Sequence, residues 1–120
     1  MIGRLAVALL ALGAARDDPL AGRVAGAPVD CIDLDRVQGP EIVDRTTVLY
    51  RQDGRRVWRT GPVGHCGPMR PGDGLIVELQ GRRLCRDDRF RVRAAGYVGA
   101  ALCRFDRFVP YDKEPAGSRR

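Results

Sequence analysis

The chain has 120 residues, of which 44% are hydrophobic, 30% charged and 6% aromatic. That length suits one domain, and that balance excludes global disorder while leaving a core to Val, Leu, Ile and a few rings such as Trp58 and Phe90. The net charge of +6 is carried almost wholly by arginine, with acids interleaved in RDDRFRVR and CRFDRF, so the excess alone does not mark a nucleic-acid tract.

Residues 1–15, MIGRLAVALLALGAA, read as a signal peptide. Arg4 supplies the positive start, an apolar run follows, and small residues suit cleavage after Ala15 or nearby. The run is shorter than a membrane span, which takes about 20 apolar residues. A retained anchor is the alternative reading. Residues 16–30, rich in Ala, Gly and Pro, read as a flexible lead-in. A single all-β domain is expected over 31–111, followed by a disordered polar tail over 112–120.

Within the domain the signals are strands and turns. EIVD (41–44) and TTVLYR (46–51) come first, then Asp53-Gly54 as a two-residue hairpin signal, then RRVWRT (55–60). Val48 and Tyr50 alternate with Thr47, Leu49 and Arg51, so both faces of that strand are partly apolar. The Gly/Pro-rich stretch 61–74 excludes a regular ladder. LIVELQ (75–80) places Leu75, Val77 and Leu79 on one face, with Ile76, Glu78 and Gln80 on the other. Gly81 turns the chain into RRLC. In RFRVRA (89–94), Phe90, Val92 and Ala94 oppose Arg89, Arg91 and Arg93. A last strand lies within GAALCRFDRFVPY (99–111). The expected fold is a small barrel or sandwich of six to eight short antiparallel strands, with that choice open.

Cys31, Cys66, Cys85 and Cys103 are even in number, and in an exported chain they read as two disulfides. Three pairings are open. Cys31–Cys103 with Cys66–Cys85 is preferred, because the first would tie the ends of the domain and the second would anchor the Gly/Pro loop.

Several chemistries are excluded by what is missing. Ser118 is the single serine and lies in the tail, which removes a Ser-His-Asp hydrolase. Lys113 is the single lysine, which removes phosphate-loop and Schiff-base chemistry. The one histidine, His65, precedes Cys66, but adjacent residues on an extended chain point apart and no orienting third group is evident. The cysteines are separated by 34, 18 and 17 residues, far from the paired spacing of structural zinc sites or of a C-x-x-C redox motif. No cofactor or metal is expected. Asp87-Asp88, Asp33, Asp35, Glu41 and Glu78 are the candidate carboxylates for a small enzyme; solvated turn and surface roles are the simpler reading. Arg82, Arg83, Arg86, Arg89, Arg91 and Arg93 form a candidate anion-binding stripe. Nucleic acid is the weaker partner for it, since Phe90 falls on the apolar side and leaves the stripe without stacking rings. An anionic envelope surface is the other.

The segments CIDLDRV, EIVDRTTVLYR, HCGPMRPG, LCRDDRFRV and CRFDRFVPY, taken in this order over residues 31–111, resemble a bacterial domain-of-unknown-function family of small exported proteins with four cysteines. GAALCRF matches loosely the Gly-rich stretch that family carries around its last cysteine. The resemblance implies export and a compact cysteine-bearing fold. It transfers no catalytic residue. The expected protein is therefore an exported β domain, periplasmic or secreted, with a structural or binding role in the envelope.

Overall fold

Two-residue alternation of apolar side chains drives pairing of strands rather than helices. The computed structural model describes residues 18–114. Its strands are β1 (Arg23–Ala25), β2 (Cys31–Asp33), β3 (Gln38–Asp44), β4 (Thr47–Arg51), β5 (Arg56–Thr60), β6 (Gly74–Val77), β7 (Arg83–Cys85), β8 (Arg89–Ala94), β9 (Tyr97–Val98), β10 (Cys103–Arg104) and β11 (Val109–Lys113), with a 3-10 turn at Leu34–Arg36. The all-β class is as expected. The strand number exceeds the six to eight expected, because segments of two or three residues have no period to read. The signal segment 1–15 lies outside the described residues.

Strands β1-β11-β5-β4-β3 form one antiparallel sheet, β10-β8-β6 form the second with β9 also on β8, and β2-β7 form a separate pair. Phe90 is flanked by Val77 and Cys103, and Arg93 by Gly74 and Val98, so β9 and β10 follow one another along the side of β8 opposite β6. Val48, Tyr50 and Trp58 of the first sheet share one apolar core with Phe90 and Val92 of the second, and Ile32 and Leu84 of β2-β7 join it. The two sheets thus sandwich a common core, and a bridge between Pro62 and Phe105 joins them at one corner. Phe90, Phe105 and Phe108 are fully buried and stack in a row, with ring centroids 4.4 and 6.0 Å apart.

Four local readings change. Arg23–Ala25, placed by sequence in a flexible lead-in, pairs as an edge strand with Tyr111–Lys113. By the same pairing Asp112 and Lys113, assigned to the tail, belong to β11. β1 stops where Gly26 donates to the carbonyl of Pro110, because proline offers no N–H in return. The hairpin between β4 and β5 forms, but its connection spans residues 52–55. Asp53 accepts from the backbone N–H groups of Arg55 and Arg56 at 2.7 and 3.1 Å, and Gly54 is not in the left-handed region. An aspartate cap, not a two-residue primed turn, makes this reversal.

The fourth correction concerns the cysteines' partners. The expected two disulfides are present, but they are Cys31–Cys85 and Cys66–Cys103, not Cys31–Cys103 and Cys66–Cys85. The cause is strand order. Cys31 and Cys85 are opposite each other on β2 and β7, where Asp30–Arg86 and Arg82–Leu34 backbone bonds on either side leave them a non-hydrogen-bonded pair. That position brings side chains closest across a ladder. Cys103 enters β10 beside Phe90, facing the core, and meets Cys66 of the Gly/Pro loop.

Candidate anion-binding face and adjoining cleft

β8 is the element on which the candidate site is built. Its inward residues, Phe90 and Val92, are buried in the core, so the alternate residues Arg89, Arg91 and Arg93 are driven to the outer face of the second sheet. β6 contributes Ile76 to that face beside Arg91, and β9 contributes Val98 beside Arg93. β10 contributes Arg104 beside Arg89. Arg104 was not in the sequence-derived stripe, since only cross-strand register brings it there.

The charges on this face divide into two ends. Arg89 pairs with Glu78 at 3.3 Å and Arg104 with Asp87 at 3.3 Å, all four side chains more than half exposed. Arg91 donates to the carbonyl of Ala100 at 2.6 Å, and Arg93 lies across Gly74. Neither Arg91 nor Arg93 meets a carboxylate among the described residues. The rest of the expected stripe goes elsewhere. Arg82 bonds Asp35 at 2.8 Å, Arg86 leans toward Asp30 and Asp87, and Arg83 is opposite Asp33 on the β2-β7 pair. Six arginines close in sequence therefore resolve into a salt-linked group near β2-β7 and a short row on β8.

The candidate carboxylates do not converge. Asp88 accepts from the Cys85 N–H at 2.8 Å and closes the turn before β8, with Asp87 beside it at φ 70°. Asp33 caps the 3-10 turn by accepting from Asp35 N–H at 2.9 Å. Glu41 pairs with Arg51 across β3 and β4. Two carboxyls elsewhere are held below their ordinary range. For Asp44 the main cause is a hydrogen bond from the Thr46 backbone N–H, and for Asp112 it is the two-pronged bond from Arg56. Both serve turns or strand pairing. Burial raises the Tyr50 phenol well above its ordinary range. His65 is exposed, and Cys66 is joined to Cys103, so that sulfur is neither a thiolate nucleophile nor a metal ligand. Among the described residues no three His, Cys, Asp or Glu side chains gather as a metal site.

On the other side of β8 from the arginine row, against Val92 and Ala94, lies a cleft of about 360 Å³ between the Cys66–Asp73 loop and the β8-β9 hairpin. It exists because the second wall is made of Ala94, Gly99, Ala100 and Ala101, which carry too little side chain to fill it. Arg70, Asp73 and Tyr97 supply its polar groups. Asp73 is engaged within its own turn, accepting from Arg70 N–H at 3.1 Å. Sequence reading missed Tyr97; its 64% exposure is a product of its place at the hairpin tip.

No helix among the described residues is long and apolar enough to cross a membrane. Two disulfides fit an oxidising compartment. Comparison of the chain with protein-family models, curated proteins and solved structures finds no match.

Proposed function

We propose that the protein is an exported binding domain of the cell envelope, periplasmic or secreted, that engages an anionic surface through the outer face of its second sheet. The resemblance to small exported four-cysteine proteins supports the location, and the crosslinked cysteines fit it. The observation that carries the binding reading is the pair Arg91 and Arg93, two residues apart on one strand, with no carboxylate partner among the described residues. Planar guanidinium groups in a row offer forked donors to phosphate or carboxylate. Catalysis is the weaker reading because the acids are dispersed in turns and exposed pairs. Nucleic acid is also weaker: this face carries no aromatic ring, and Tyr97 alone at its edge does not make a platform for successive bases.

The test is retention on an immobilised polyanion, read as the salt needed for elution. Arg91→Glu with Arg93→Glu is compared with Arg45→Glu and Arg55→Glu, which change the net charge equally on the hairpin turns of the first sheet. The β8 variant should elute at clearly lower salt than the control. Equal shifts in the two variants would mean that only net charge matters.

A further inference from the structure

The end of the outer face that lacks acidic partners is also the end that exposes apolar side chains. Ile76 is 43% exposed beside Arg91 and Val98 is 46% exposed beside Arg93, while Tyr97, opposite Ala94, projects from the hairpin tip on the other side of the sheet. Ala95 and Gly96, which make the tip itself, are exposed and small. At the opposite end, Arg89 and Arg104 are neutralised by Glu78 and Asp87. Uncompensated charge and exposed apolar surface thus coincide on one part of one sheet. A polysaccharide or a mineral phosphate would use the charges and leave Ile76 and Val98 in water. A lipid surface uses both, because headgroup phosphates lie directly above an apolar boundary.

Resting on the anionic-surface reading, we infer that the β8-β9 tip and the adjoining outer face dock on an anionic lipid bilayer. Arg91 and Arg93 meet headgroup phosphates, while Val98 and Ile76 enter the boundary between headgroups and acyl chains. The strand direction suits that depth, since alternate residues on β6 and β9 put Ile76 and Val98 on the arginine side of the sheet. Each arginine near an anionic leaflet contributes about a fivefold factor in partitioning, so the pair alone gives weak, reversible attachment.

The experiment is co-sedimentation of the oxidised protein with vesicles of phosphatidylglycerol or of phosphatidylcholine. Partitioning should favour phosphatidylglycerol, fall on the order of tenfold or more in Arg91→Glu with Arg93→Glu, and fall on the order of tenfold in Ile76→Ser with Val98→Ser. In Val98→Trp, the added indole emission should shift to the blue on phosphatidylglycerol vesicles only, a readout that needs no loss of binding. All variants are surface changes, and thermal melts check that each is folded. Binding to dextran sulfate without preference for phosphatidylglycerol would overturn the membrane proposal and leave the anionic-surface reading standing. Binding to phosphatidylglycerol unaffected by the arginine changes would overturn both. Arginine-dependent vesicle binding that ignores Ile76→Ser with Val98→Ser and leaves the Val98→Trp emission unshifted would reduce the contact to headgroup charge alone and overturn the insertion.

Discussion

Replacing Cys31 and Cys85 together by serine removes the bridge between β2 and β7 with little other change. Both positions are half-buried, so the new hydroxyls stay near water and leave no orphaned polar group. The bridge joins residues separated by 54 in sequence, and in the chain-entropy treatment a loop of that length is worth about 4 kcal/mol. The second bridge interleaves with the first and shortens the effective path, but the dependence is logarithmic, so even a halved loop changes the figure by only about 0.6 kcal/mol. Against the about 5 to 15 kcal/mol typical of a domain, the loss is between about a quarter and four-fifths of the total. Urea unfolding of the oxidised protein reads it through Trp58, the single tryptophan, which is 7% exposed and donates to Gln52 at 2.8 Å. The midpoint should drop, and the slope should rise as the unfolded chain expands. A loss below about 1 kcal/mol, with Cys66–Cys103 shown intact, would refute the reasoning that chain constraint holds this body shut. The single change Cys31→Ser also checks the connectivity: its one free thiol should map to Cys85, and a thiol at Cys103 would contradict the pairing.

Other expected outcomes concern the core, a glycine and acid. Phe90→Ala removes a fully buried ring 4.4 Å from that of Phe105 and should cost about 3 to 5 kcal/mol in the same urea assay. Gly61→Ala places a Cβ against the backbone carbonyl of Thr46 and should cost about 1 to 3 kcal/mol, whereas Gly54→Ala, with open space around it, should be within about 0.5 kcal/mol of the parent. Arg56 holds the Asp112 carboxyl below the ordinary value of 3.8, so this group's contribution is present above that value and fades as pH falls below it toward the depressed native one. Asp112→Asn should therefore flatten the decline in urea midpoint between roughly pH 5 and pH 2, and an unchanged decline would remove Asp112 from the account.

Alternation was enough to read the strands whose two faces differ. Phe90 and Val92 against Arg89, Arg91 and Arg93 is such a case, and β8 has that orientation in the fold. Both faces of TTVLYR are partly apolar, which suits a barrel or sandwich better than an open sheet, and in the fold β4 is interior to its sheet, with Leu49 buried on the side opposite Val48 and Tyr50. The role of Asp87-Asp88 as a turn before β8 was equally local, because an aspartate caps backbone within three residues of itself. The Asp53 reversal shows the limit: the residues that mark a turn leave its length open when aspartate can cap in more than one way.

Pairing lay beyond local pattern. Which cysteine meets which depends on β2 lying beside β7 and on β10 lying beside β8, and nothing in the spacing of four cysteines encodes sheet order. β1 escaped notice because three residues have no period and are held in place by β11 from the far end of the chain. The candidate site has the same origin. Arginines adjacent in sequence were separated into salt-linked and unpaired groups, and Arg104, Ile76 and Val98 were brought to the β8 row from other segments. Side-chain direction along a strand follows from chirality and the pleat, so the chain writes it residue by residue. Register between strands is set by which apolar faces bury together, a sum over the whole core that only the folded molecule evaluates.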